Sequence, residues 1–232
     1  MKKRNFDQLC GKTTSHLADA GDYAKVLHKD VIAPFEALKA EASEMGFDLQ
    51  IASGFRSFAR QLSIWNSKAL GERAVLNNEC QKIDISCLSE LELIHAIMRW
   101  SALPGASRHH WGTDFDVYDA AAVSEDYRLQ LTPEETQGDG PFAPLHKWLD
   151  NILPSSDFYR PYQRDHNGVA PEPWHLSYKP VADEYAQQLS PAAILSALKQ
   201  GELLVGERVA VALHDCIAAN IQSIYQRFVQ VA

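Results

Sequence analysis

From Asp30 to Met45 apolar residues recur at steps of three and four, at Val31, Phe35, Leu38, Ala42 and Met45, which is the spacing of one helix face. Pro34 falls in the first turn, where a missing N–H is tolerated, and Gly46 stands where a C-terminal cap belongs. The period then changes to two, so that Phe47 to Ala52 predicts a strand. Ser53-Gly54 turns the chain, and Ser57 to Leu70 predicts a second helix closed by Gly71. Residues 71–88 are polar and irregular and read as a loop. Ser89 and Glu92 form a capping box ahead of a helix carrying Leu91, Ile94, His95 and Met98, which Pro104-Gly105 stops. Asp114 to Tyr118 alternates again and predicts a strand, followed by a polar stretch, Asp119 to Gly140, that reads as a surface loop.

Pro141 to Ile152 predicts a short helix on Leu145, Trp148, Leu149 and Ile152. Phe158 to Tyr162 and His175 to Tyr178 predict short strands, with Gly168 and Pro171 marking a turn between them. Ser190-Pro191 signals another helix start. From Val209 onward Leu213, Cys216, Ile217, Ile221, Ile224 and Phe228 form one apolar stripe, which must bury itself on the main body or against a second copy of the chain. Together the elements predict an α+β protein: a small antiparallel sheet flanked by helices, with a C-terminal helical extension.

Composition narrows what such a fold can do. The 232 residues are 46% hydrophobic and 22% charged, which excludes a disordered chain. With 22 basic against 30 acidic residues the net charge is −8, and no basic cluster suits a nucleic acid, so no nucleic-acid partner is expected. No stretch approaches the roughly 18 uninterrupted apolar residues of a membrane span. The longest candidate, Val205 to Val231, is broken by Glu207, Arg208, His214, Asp215 and Arg227, so no membrane partner is expected. The first residues, Met-Lys-Lys-Arg, are charged like the start of an export signal but no apolar stretch follows them, so a cytoplasmic location is expected. Cys10, Cys80, Cys87 and Cys216 form no CxxC pair and are expected to be free thiols.

Three short blocks concentrate polar residues in apolar or glycine-rich surroundings. They are Ser53-Gly54-Phe55-Arg56-Ser57, the run from Ser107 through Arg108, His109, His110, Trp111, Gly112, Thr113, Asp114 and Phe115 to Asp116, and Glu172-Pro173-Trp174-His175. A catalytic zinc takes three protein ligands and leaves one position open. The second block offers His109 or His110 with Asp114 or Asp116, and the third offers His175 beside Glu172. Pro171 and Pro173 exclude a helical His-Glu-x-x-His arrangement, so such a site must be built from strands and loops. Taken singly, each residue has a plainer explanation: a half-buried histidine, a turn carboxylate, a solvated glutamate.

In combination the second block fits Ser-x-His-x-x-Gly-x-x-x-Asp and the third fits Glu-x-Trp-His. This pair of signatures resembles that of the VanY-type D-alanyl-D-alanine metallocarboxypeptidases, which share a larger group with lysostaphin-type peptidases and the sonic hedgehog amino-terminal domain. The first block resembles the family's Ser-Gly-Tyr-Arg-Ser, with Phe55 for tyrosine. The resemblance implies Zn2+ held by His109, Asp116 and His175, with Glu172 as general base and Arg56 facing the oxyanion or the substrate carboxylate. It further implies that Ser107 and Gln61 hold the terminal carboxylate and that Trp174 walls the site beside His175. It covers a core of about residues 30–180, so that residues 1–189 read as the zinc carboxypeptidase domain and 190–232 as an extension.

The implied activity is release of terminal D-alanine from peptidoglycan-derived peptides (muropeptides). With no export signal expected, L,D-carboxypeptidase action on recycled tetrapeptides is the preferred form, and D,D-carboxypeptidase action on D-Ala-D-Ala termini is the alternative. Two further readings are a phage-type peptidoglycan endopeptidase and a non-catalytic zinc-stabilised binding module. The acidic, repeat-free chain speaks against the first, and Glu172 and Arg56 beside three ligands speak against the second.

Overall fold

The alternation in Asp-Phe-Asp-Val sorts side chains to opposite faces of a strand, and the sheet is organised around that division. The computed structural model describes residues 4–19, 21–204, 207–209 and 211–230. In chain order its helices and strands are α1 (Phe6–Leu9), α2 (Ile32–Glu44), β1 (Leu49–Ser53), α3 (Phe58–Ala69), α4 (Glu90–Met98), β2 (Asp114–Asp119), α5 (Pro133–Thr136) and α6 (Ala143–Ile152). There follow β3 (Phe158–Tyr159), β4 (His175–Tyr178), α7 (Lys179–Ala186), α8 (Pro191–Gln200), β5 (Glu202–Leu204), β6 (Glu207–Val209) and α9 (His214–Ile224). A π-helical turn, Tyr225–Val229, extends α9.

The main sheet is antiparallel, in the order β1-β2-β4-β3. Phe115, Val117, Leu176 and Phe158 turn to one face and close a cluster with Phe35 and Leu38 of α2 and Leu145 and Leu149 of α6. Asp114, Asp116, His175 and Ser177 occupy the intervening positions, and all four are buried. Register places Asp114 opposite Ser177 and Asp116 opposite His175. Two polar pairs therefore share the face turned away from α2 and α6.

A second apolar cluster gathers Phe58, Leu62 and Trp65 of α3, Ile94 and Ile97 of α4, Tyr185 of α7, Ile194 of α8 and Ile217 and Ile224 of α9. The stripe on the last helices is thus buried within the chain, with Phe228 also in the cluster and Leu213 and Cys216 packed against it. The stripe's starting position, Val209, has its side chain outside the described residues, as do Val205 and Val231. Among the described residues no helix is long and apolar enough to cross a membrane. The four cysteines are free thiols.

The expected helices and strands are present, with caps where the sequence signals them. Ser57 caps α3 through Arg60 N, Ser89 and Glu92 close a capping box on α4, and Ser190 caps α8 through Ala193 N. Three expectations need correction. The strand beginning at Phe158 ends at Tyr159 rather than Tyr162, because Pro161 has no N–H to give a ladder. The stretch 119–140 is not a plain surface loop: it contains α5, whose Glu135 carboxylate is buried and accepts from the backbone N–H groups of Gln130 and Leu131 and from the Tyr127 hydroxyl. Finally, α1 and α7 occupy segments where no element was predicted, and the β5–β6 hairpin interrupts the extension predicted to be helical.

Candidate active site

Three elements deliver the chemistry of the motifs to one place. Strand β2 brings Asp116, its cross-strand partner on β4 is His175, and the 3-10 turn Arg108–Trp111 brings His109. Gly112 follows that turn with φ +65°. A Cβ there would come within 2.8 Å of His28 N and 2.5 Å of a Leu17 methyl, so only glycine lets the chain pass between the two ligand segments. His109, Asp116 and His175 are buried and offer one ligand atom each within 4.8 Å of one another.

Each imidazole is committed through one nitrogen and open through the other. His109 Nδ1 lies 3.0 Å from Gly54 O, which fixes the proton there and leaves Nε2, 3.6 Å from Asp116 Oδ2, as the lone-pair atom. His175 Nε2 lies 3.2 Å from Asp114 Oδ1, which leaves Nδ1 facing Asp116. Asp116 Oδ1 and His175 Nδ1 are 3.2 Å apart but out of line for a hydrogen bond, and both are buried without a hydrogen-bond partner. Orphaned buried lone pairs cost roughly 1–3 kcal/mol each. A cation between them removes that cost, and two imidazoles with one carboxylate are a donor set that suits zinc, with a fourth position left open.

Asp114 holds the ring of His175 from behind. It accepts from Arg108 Nε at 2.6 Å and from Thr113 Oγ1 at 2.7 Å, while Arg108 also donates to Tyr159 Oη at 2.8 Å and Ser177 Oγ at 2.9 Å. Burial works against the Asp114 carboxylate, but the Arg108 guanidinium outweighs it and holds the group well below the usual carboxylate range. Asp114, open as a ligand on sequence grounds, is therefore the partner that orients one.

The electrostatics of the cluster favour a bound cation. Burial pushes His109 down to about 3, so the ring is a neutral donor. Burial also disfavours the His175 cation, but the carboxylates of Asp114, Asp116 and Glu172 outweigh it and draw positive charge to that ring. Glu172 Oε2 lies 3.5 Å from His175 Nδ1, and burial pushes its carboxyl above the ordinary glutamate value. A carboxylate raised in this way is a better proton acceptor than a solvated one.

His110 is spent elsewhere. Its Nδ1 donates to Arg56 O at 2.6 Å and its Nε2 accepts from Gly105 N at 3.0 Å, so neither nitrogen is free for a ligand role. Arg56 N also donates to His109 O at 3.1 Å, and the first and second motif blocks are stitched together. The Arg56 guanidinium is half-buried, donates to Gln61 Oε1 at 3.1 Å and Ser53 Oγ at 3.2 Å, and lines the cleft. Gln61 is fully buried, with its other end donating to Ala102 O at 2.7 Å, so it braces Arg56 instead of facing the cleft. Ser107 and Trp174 are buried and line the cleft beside His109 and His175. Trp111 instead stacks on Tyr185 and donates to Leu9 O, which places it in the helical core.

The cleft encloses about 300 Å³. Its floor is Arg108, His109, Asp116, Glu172 and His175, and its wall includes Lys68, Arg73, Gln130 and Thr132. Sequence reasoning missed Arg108, Tyr162 and Lys68. Arg108 sits inside the second block, and its position between Ser107 and His109 was the available signal. Tyr162 packs edge-on to His175 with ring centroids 5.0 Å apart, which nothing in its local sequence announces.

A family model described as VanY, D-alanyl-D-alanine carboxypeptidase, matches residues 24–181. An uncharacterised protein of Haemophilus influenzae is 35% identical over 129 residues, covering 55% of this chain and 92% of its own length. Among solved structures, a variant of the vancomycin-resistance D,D-pentapeptidase VanY in complex with Zn(II) is 22% identical, over 73% of this chain and 83% of that one, with a TM-score of 0.47. The LD-carboxypeptidase LdcB is 21% identical, over 71% of this chain and 70% of that one, also with a TM-score of 0.47.

Proposed function

This chain belongs to the VanY family of D-alanyl-D-alanine carboxypeptidases, and we propose that it is a zinc peptidase that releases terminal D-alanine from peptidoglycan stem peptides. The observation that carries the reading is the buried His109, Asp116 and His175 set, with two orphaned lone pairs and the Glu172 carboxylate beside it. Zinc bound by these three residues would supply Lewis-acid chemistry, polarising the scissile carbonyl and making water a stronger nucleophile.

The remaining steps belong to the chain. Glu172 takes a proton from the attacking water on its carboxylate and returns it to the nitrogen of the departing D-alanine, so the proton count closes over one turnover. Burial, which raises its proton affinity, suits it to both halves of that exchange. Arg56, braced by Gln61 and Ser53, presents a fixed guanidinium to the developing oxyanion or to the terminal carboxylate. Asp114 keeps the proton on His175 Nε2, so that Nδ1 stays a donor toward the metal position.

The finer reading is L,D-carboxypeptidase action on tetrapeptides in the cytoplasm. Support comes from the cleft wall, where Lys68, Arg73, Gln130 and Thr132 offer charge and hydrogen bonds to the residue ahead of the scissile bond. A penultimate D-alanine would present only a methyl group to them. The test is to incubate zinc-loaded protein with tetrapeptide and pentapeptide muropeptides and follow D-alanine by chromatography. Release from the tetrapeptide is expected; release from the pentapeptide alone overturns the L,D preference, and release from neither overturns the carboxypeptidase reading. Cell fractionation with an antibody to the chain tests the location.

A further inference from the structure

Lys68 lies in the last turn of α3, is only 7% exposed and lines the cleft. Its ammonium donates to Ser101 Oγ at 2.7 Å, and among the described residues no carboxylate comes within ion-pair distance of it. A buried cation without a counter-charge is costly, and proteins seldom retain one without a use for it. The other charges of the cleft form no ion pair with it, although Glu172 lies near enough to favour its cation. Arg108 is neutralised by Asp114, and Asp116 and Glu172 face the metal position. Arg56, Lys68 and Arg73 remain as surplus positive charge in a chain whose net charge is −8.

Spacing along α3 says what the surplus is for. Gln61, which braces Arg56, and Lys68 are two helical turns apart on one face, with Ile64 between them also lining the cleft. Two turns correspond to about 10 Å. Arg56, braced at Gln61, and Lys68 are thus anchored at two separate points along one helix face. This arrangement suits a substrate whose terminal carboxylate or oxyanion meets Arg56 while a second carboxylate, on the neighbouring side chain, reaches Lys68.

We propose that Lys68, with Arg73 at the rim, forms a second carboxylate subsite that selects peptides bearing an acidic side chain immediately before the terminal D-alanine. This deepens the carboxypeptidase reading and rests on it for the placement of the terminal residue. Burial together with the neighbouring arginines brings Lys68 down to about 8, the direction expected of a cation that lacks its partner. Arg73 is exposed and can follow the ligand as it enters.

The test compares acetyl-L-Ala-L-Glu-D-Ala with its neutral isostere acetyl-L-Ala-L-Gln-D-Ala. Binding is measured by calorimetry to zinc-loaded Glu172→Gln protein, in which turnover is suppressed. The glutamyl peptide is expected to bind about tenfold tighter, the worth of one charge-assisted hydrogen bond. Adding Lys68→Met should bring the ratio to about one while the glutaminyl peptide's affinity stays put, and Lys68→Arg should keep most of the ratio. Arg73→Gln, at an exposed position where folding is not at stake, should lower the ratio about threefold. Equal binding of the two peptides to the Lys68 protein overturns the subsite, whatever the variants do. So does a Lys68→Met protein that weakens both peptides equally, since that is the mark of a merely structural lysine. Failure of the underlying reaction reads out separately, as absence of D-alanine release from either peptide by the unsubstituted zinc protein.

Discussion

The floor and the wall of the cleft are built on opposite plans. On the floor, polar groups are held by several partners at once. Asp114 takes bonds from Arg108, Thr113 and His175, and Arg108 spreads three donations over Asp114, Tyr159 and Ser177. On the wall, Lys68 has one neutral hydrogen bond and Arg73 stands exposed. Groups that must converge on one ion need their directions fixed before it arrives, because a small misplacement loses the ion. Groups that read a flexible substrate gain from spare charge and freedom, because the ligand completes the pairing.

If the floor is catalytic, its largest response comes from Glu172. Glu172→Gln should lower kcat by about 10²–10⁴-fold while metal analysis still finds zinc near one per chain. Full activity in that variant would remove the general base from the floor. The next largest effect tests whether the floor's hydrogen bonds are also structural: Arg108→Met strands the buried Asp114 carboxylate and should cost about 3–5 kcal/mol in denaturant unfolding. Asp114→Asn sharpens the same point from the metal's side. It leaves the sheet register intact but weakens the orientation of His175, and zinc affinity should fall about 10- to 100-fold in a chelator competition. The smallest effect belongs to the second of two adjacent histidines. His109→Ala should abolish zinc binding, whereas His110→Ala should keep the zinc and lose about 1–3 kcal/mol, because Gly105 N and Arg56 O lose their partner. Loss of zinc in the His110 variant would move the site.

The floor was largely legible in the chain and the wall was not. Short strands announce themselves by alternation, and in β2 and β4 that same alternation sets Asp116 and His175 on one face. The motif spacing singled out His109 over His110, and the hydrogen bonds of His110 supply the physical reason. Pairing across the sheet was not legible, since Asp114 and His175 meet 61 residues apart and either aspartate of the second block could have been the ligand. The wall was hidden more completely. In sequence Lys68 is one more polar residue near the end of a helix, and its burial in the cleft, where it donates to Ser101 Oγ, comes from segments distant in the chain. The folded stretch carrying Gln130 and Thr132 escaped because its order comes from one glutamate, Glu135, collecting bonds from residues four and five positions earlier. The same limit hid how the turn signalled by Gly168 is held, with Arg227 donating to Asn167 O at 2.6 Å across 60 residues.

The direct opposition of Asp116 and His175 in the β2–β4 ladder makes zinc a reporter of strand alignment. A slip of one residue would turn His175 to the apolar face and replace it opposite Asp116 with a side chain that cannot ligate. Chelation and misalignment are therefore mutually exclusive, and the ion's binding energy is added to the free energy of correct pairing over every alternative ladder. Amide protons of residues 114–117 and 175–178 should accordingly exchange more slowly in the zinc-loaded protein than in the metal-stripped one, while those of α2 and α6 change least. The ion would in this way proofread the sheet that holds it.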